Sequence, residues 1–286
     1  NNISRLVEQV RATAYVAHPY QFPIIGWPSD IASWTQEDLE NFYETYYAPN
    51  NITMVAVGDV TPEEIFELAE DYLEDIPAQE PPASVRTVEP EQQGERRVVI
   101  ETDAQTPMLH VAFHAGEAAD PETLAMRLLL SILVYGDSAR LHRLFVEEEQ
   151  LAISIGAFPF EGFDPGLVYV YATLPPGGDL GLLEQRLFEE LARIAEEGVS
   201  EAELEKARNI ALAEFWGVMS TINGKAASLG EAAVFHGSYE KLFDFAQDIE
   251  TVSGDTLKAV ASSVFRRENA TIGVLYAPVV EAEAEE

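Results

Sequence analysis

The chain has 286 residues, 47% of them hydrophobic, and carries 50 acidic against 17 basic side chains for a net charge of −33. That is enough apolar material for two ordinary cores, while an acidic field of this size repels phosphate backbones and argues against nucleic acid as a partner. With no cysteine, disulfides, thiolate metal sites and a cysteine nucleophile are excluded, and no apolar run in the sequence is long enough to span a membrane.

Ser4 to Ala17 reads as a helix with Leu6, Val10, Ala14 and Ala17 on one side, ended by His18-Pro19-Tyr20. Pro23, Gly26 and Pro28 mark an irregular connection. Thr35 then caps a helix carrying Leu39, Phe42, Tyr43 and Tyr46. Pro49-Asn50-Asn51 breaks it, Ile52 to Val57 reads as a buried strand, and Gly58-Asp59 ends the strand. Thr61-Pro62-Glu63-Glu64 opens the next helix with a capping box. Residues 78–94 contain several prolines and few apolar residues, which predicts an extended linker. Beyond it, strands are expected over 96–102, 108–115, 152–158 and 167–174. Helices are expected from Asp120, after Ser138, from Asp179, from the Ser200-x-x-Glu203 capping box, and over 223–236. Strands and helices mix without strict alternation, which indicates an α+β fold.

The element Trp34–Asp59 returns 218 positions later. Leu39 matches Leu257, Phe42 matches Val260, Asn51 matches Asn269 and Thr53 matches Thr271; Ser253 falls where Thr35 is. The chain is therefore expected to hold tandem homologous α+β units, each a mixed sheet with helices packed on one face. Residues 1–77 would be the later part of a first unit truncated at its N-terminus, 78–94 the linker, 95–278 a complete second unit and 279–286 an acidic tail. On this reading most of the first unit precedes Asn1.

Candidate chemistry is sparse. The histidines are His18, His110, His114, His142 and His236. His110 and His114 fall in an apparent strand, where a spacing of four residues is roughly 13 Å, too far to share one ion. His18 reads as a turn residue before proline, and Glu147-Glu148-Glu149 as a solvated helix end. Neither a phosphate loop nor a Gly-x-Ser-x-Gly elbow occurs. The acidity itself reads as a solvated surface or as an attractor of basic peptides, which salt would screen.

His18-Pro19-Tyr20, Gly26, Phe42, Tyr47-x-Pro49-x-Asn51, Gly58-Asp59-Val60 and Gly136-x-Ser138-x-Arg140-Leu141 together resemble the pitrilysin, insulinase and mitochondrial processing peptidase family of zinc peptidases, over nearly the whole chain. The resemblance implies a zinc endopeptidase parent, with H-x-x-E-H and its remaining glutamate ligand expected upstream of Asn1. No catalytic or metal-ligating residue, and no cofactor, is expected in this chain. It also implies a substrate-holding Arg and Tyr, which fall at Val146 and Ile153, where both polar groups are missing; Ser138 and Arg140 are the remaining candidates for substrate contact. The implied partners are a peptide substrate and a second homologous subunit that supplies the Arg/Tyr pair. The competing reading is a degenerate, non-catalytic subunit that binds peptides or acts as a scaffold.

Overall fold

A computed structural model describes residues 2–104 and 106–276; the acidic tail expected at 279–286 lies outside them. The chain forms, in order, α1 (Asn2–Ala14), α2 (Pro28–Ser33), α3 (Gln36–Tyr46), α4 (Pro62–Leu73), β1 (Arg96–Glu101), β2 (Met108–His114) and α5 (Pro121–Val134). A short α6 (Arg140–His142) runs into a π-helical stretch (Arg143–Glu148). Then come β3 (Ser154–Phe160), β4 (Leu167–Thr173), α7 (Leu180–Glu197), α8 (Glu201–Met219), α9 (Ile222–Phe235), α10 (Phe245–Thr251), α11 (Gly254–Val264) and β5 (Ala270–Tyr276).

Contacts divide the chain into two units. The first comprises Asn1–Gln21, Val88–Ala211 and the chain from Asp248; the second comprises Phe22–Thr87 and Leu212–Gln247. Residues 2–21 thus group with the segment read as the later sequence unit, and 212–247 with 22–87.

In the first unit the sheet order is β1-β5-β2-β4-β3, with β1 parallel to β5 and the other neighbours antiparallel. The period of two is visible in β2. Leu109, Val111 and Phe113 enter one core with Val170 and Ile272, which face Val111 across the ladder. α5, α7 and α11 cover that face with Leu128, Leu129, Leu133, Leu183, Leu187, Leu191, Leu257 and Val260. Met108 and Ala112 point the other way, where α1 adds Leu6, Val10, Ala14 and the following Tyr15. The sheet therefore carries helices on both faces; the expectation of helices on one face holds for α5, α7 and α11, and α1 is the addition.

α1 also stops three residues before the expected Ala17. The Glu89 carboxylate accepts the backbone N–H groups of Val16, Ala17 and His18 at 2.8, 2.9 and 2.9 Å, which turns the chain out of the helix. Burial pushes the Glu89 carboxyl up, but these three donors outweigh it and hold the group below its usual range.

In the second unit Thr35 and Asp38 form one capping box and Thr61 and Glu64 another. The duplication is congruent at the level of elements: 254 − 218 and 264 − 218 give 36 and 46, the bounds of α3. The burial is opposite. Leu257 is 0% exposed and Leu39 is 56% exposed. Ile52 takes an extended conformation, yet the expected buried strand over 52–57 is neither paired nor buried among the described residues: it forms no ladder, and Ile52 and Met54 are 55% and 60% exposed.

Candidate functional site

The segment between α5 and β3 holds Ser138, Arg140, Val146 and Ile153, the places where the family resemblance puts substrate contact. α5 ends at Val134, and Gly136, at φ +81°, turns the chain. Leu141 and Phe145, both 0% exposed, anchor the next helical turns in the core. Those turns widen to π geometry over Arg143–Glu148, a local departure frequent at functional sites. Gln150 follows at φ +53°, the single non-glycine residue with positive φ among the described residues. The chain then re-enters the sheet: Ala152 donates its N–H to the Phe145 carbonyl at 3.0 Å and Ile153 to Thr173 at 2.7 Å.

Within this frame Val146 is half-buried against the main core, and Ile153 stands exposed just before β3. Both offer apolar surface and no polar side-chain atom. Ser138 and Arg140 are occupied by α8 and the turn before it. Lys206 Nζ donates to Ser138 Oγ at 2.6 Å. Arg140 grips Glu203 with two parallel hydrogen bonds, Nε to Oε1 at 2.5 Å and Nη2 to Oε2 at 2.7 Å, and Nη2 reaches the Gly198 carbonyl at 3.4 Å. Glu203 also accepts the backbone N–H and hydroxyl of Ser200 as its capping box. The Arg140 bonds lead the causes that hold the Glu203 carboxyl down to about 2. The capping box was readable in the sequence, but its Arg140 and Lys206 partners were not, since only folding brings 138–140 beside 203–206.

The acidic run closes the π-helical stretch with Glu147 and Glu148 exposed, as expected of a solvated helix end, and it also holds ion pairs. Glu148 pairs with Arg143 at 3.2 Å and Glu149 with Arg186, so two of its three members hold arginines.

The histidines do not converge on one point. His110 is 4% exposed in the centre of β2, flanked by Tyr169 and Tyr171, and burial lowers it to about 4. His114 bonds the Ala14 carbonyl through Nε2 at 2.9 Å. His18 Nδ1 accepts the Tyr20 backbone N–H at 3.2 Å. Its Nε2 lies 3.4 Å from Asp164 Oδ2, within ion-pair range but without hydrogen-bond alignment. No group of three or more His, Asp or Glu side chains is placed to hold a metal ion among the described residues. His114 is held by the Ala14 carbonyl, and His110, whose Nε2 is buried without a hydrogen-bond partner, lies beside two tyrosines, so the described residues offer no donor set that fits zinc.

A family model described as "Peptidase M16 inactive domain" matches residues 33–211. Among curated proteins, zinc protease PqqE of Helicobacter pylori is 24% identical over 262 residues, covering 91% of this chain and 59% of its own. A probable mitochondrial-processing peptidase subunit beta of Arabidopsis thaliana is 25% identical, covering 90% of this chain and 50% of its own. The chain thus spans between half and six-tenths of these relatives' length. Among solved structures, a protease from Helicobacter pylori superposes with a TM-score of 0.90 at 24% identity, over 96% of this chain and 67% of the other. A peptidase M16 inactive domain from Pseudomonas fluorescens does so at 0.87 and 18% identity, over 98% of this chain and 66% of the other. These two likenesses show the same α+β fold.

Proposed function

The chain belongs to the peptidase M16 family and carries that family's inactive domain, and from this premise we propose that it is the later part of a zinc endopeptidase subunit, contributing chamber wall rather than catalytic groups. What supports the reading is the family match together with apolar residues, Val146 and Ile153, at the places the resemblance gives to substrate-holding groups. Val146 and Ile153 can pack against a peptide but cannot bond a carbonyl or steady charge during attack. Arg140 and Ser138 do not substitute for them, because both are engaged by α8. On this reading zinc is held elsewhere in the parent, whose H-x-x-E-H motif supplies the metal site. A second homologous subunit, as the likeness to a processing peptidase subunit beta suggests, supplies the orienting Arg and Tyr. Positioning of that kind contributes greatly to rate.

The same apolar pair supports one further reading, a degenerate subunit that binds peptide without cleaving it. The two separate in a reconstitution assay. The purified 286-residue chain is expected to hold far less than one zinc per chain and to leave an unstructured basic peptide intact. The full-length parent is expected to be nearly inactive alone and to gain cleavage on mixing with a related subunit. Stoichiometric zinc in the washed 286-residue chain, or full-rate cleavage by the parent without a partner, would refute the proposal. A parent that stays silent with every homologous partner, yet binds peptide, would establish the degenerate reading.

A further inference from the structure

The two faces of the sheet differ in chemistry. The face under α5, α7 and α11 is packed with leucine, valine and phenylalanine. The buried titratable groups of α7, Glu184 and Glu190, are carboxylates paired with Arg97, Arg267 and Arg193. The face under α1 gathers three histidines. His110 projects to this side with Met108 and Ala112, from a position paired with Gly273, against which Val10 and Leu6 of α1 lie. It is 4% exposed, and its Nε2 is buried without a hydrogen-bond partner. His114, on the same side of β2, holds the Ala14 carbonyl at the end of α1 at 2.9 Å. His18 is buried as well; its Nδ1 accepts the Tyr20 N–H at 3.2 Å, so the neutral ring carries its proton on Nε2.

We propose that this face is an acid-sensitive latch: protonation of its histidines below neutral pH releases residues 2–21 from the sheet while the leucine-rich face stays folded. Each ring takes a proton at a cost. Around His110 stand the rings of Tyr169 and Tyr171 on β4, with the Arg11 guanidinium of α1 beyond Tyr169, and burial lowers it to about 4. His114 faces Glu89, Arg96, Tyr15 and the Ala14 carbonyl. Burial is the largest influence and Arg96 adds to it, so the ring stays below its usual range although the carbonyl and Glu89 oppose them. His18 faces Asp164, 3.4 Å from Nε2, with Tyr15 and Tyr20 beside its ring and Glu89 on its backbone N–H. A second proton on His18 must enter at Nδ1, where the Tyr20 N–H already points. For His110 and His114 the released state binds protons more readily than the docked one. Docking is therefore strongest above about pH 6.5 and weakens as pH falls toward the docked values. Glu89 is depressed, so its hold on residues 16–18 is lost only below its usual 4.5. For His110, lowered from 6.5 to about 4, the ratio of released to docked chains should rise about twentyfold between pH 7 and 5. Release bares Ile100, Met108, Ala112 and Leu275, while the strand ladders and the cover of α5, α7 and α11 remain.

The test is amide hydrogen exchange read by mass spectrometry on the full 286-residue chain at pH 7, 6 and 5, at one ionic strength and with exchange times scaled for the intrinsic rate. Protection over residues 2–17 is expected to fall about twentyfold from pH 7 to 5, with that over 121–134 and 180–197 nearly unchanged. His110→Phe should remove most of the fall. His114→Gln, which keeps a donor for the Ala14 carbonyl, should remove part of it, and His142→Gln on α6 should remove none. Histidine-selective NMR of the unaltered chain needs no variant: the His110 ring should still be neutral at pH 5.5 in the docked state. Protection over 2–17 that ignores pH, or that falls in step with 121–134 and 180–197, would overturn the latch. So would a His110 ring already protonated at pH 5.5 in the docked state, or a full pH response surviving both His110→Phe and His114→Gln.

Discussion

Replacing Arg140 with methionine separates a structural role for this residue from a substrate-holding one. The guanidinium is 19% exposed and its Glu203 partner 30% exposed, with two parallel bonds of 2.5 and 2.7 Å between them. A carboxyl held at about 2 instead of 4.5 would be worth ~3 kcal/mol in full, at about 1.4 kcal/mol per pH unit. Solvent screening of a pair with this much exposure reduces that to ~1–2 kcal/mol, part of which belongs to the Ser200 bonds that survive the substitution. The expected loss for Arg140→Met at pH 7 is therefore about 1 kcal/mol. The folded-state carboxyl is depressed, so the contribution is fully present above pH 4.5 and is lost as pH falls toward 2. Urea midpoints at pH 7, 5, 4 and 3 should show the two proteins converging as the solution is acidified. Glu203→Gln and the double variant complete a cycle whose coupling should match the single loss. An Arg140→Met protein with an unchanged midpoint at pH 7 would refute the reasoning and free Arg140 for a ligand.

Three other substitutions or conditions bear on the same architecture. Gln150→Gly should raise stability by up to ~1 kcal/mol, because a left-handed residue after the π-helical stretch suits glycine; a lowered melting temperature would count against the strain. Glu89→Ala should cost about 1–2 kcal/mol by freeing three N–H groups. It should also speed proteolysis around residues 85–90, and an unchanged digestion rate would contradict the hold of Glu89 on residues 16–18. Melting temperature should rise with salt from low ionic strength, since −33 charges repel one another; a flat salt series would remove self-repulsion as a destabilising term.

Much of the local structure was legible in the sequence because its causes are local. The capping boxes at Thr35, Thr61 and Ser200 are set by hydroxyl and carboxylate side chains three residues apart. Strand β2 shows as a short apolar stretch with β-branched and aromatic residues, because both of its faces are buried. The repeat of 218 was readable because Leu39 and Leu257, or Asn51 and Asn269, keep residue type whatever surrounds them. What that repeat could not reveal is which segment each helix packs against. Val10 of α1 lies beside Gly273 and Gly230 of α9 beside Val55, approaches between segments far apart in sequence. The same holds at the candidate site. Val146 and Ile153 were singled out by the family resemblance, whereas the capture of Arg140 by Glu203 joins residues 63 positions apart. An ion pair of that kind leaves no local pattern, since neither side chain's neighbours in sequence anticipate the partner; it exists only where the tertiary fold sets the turn at Gly136 against the start of α8.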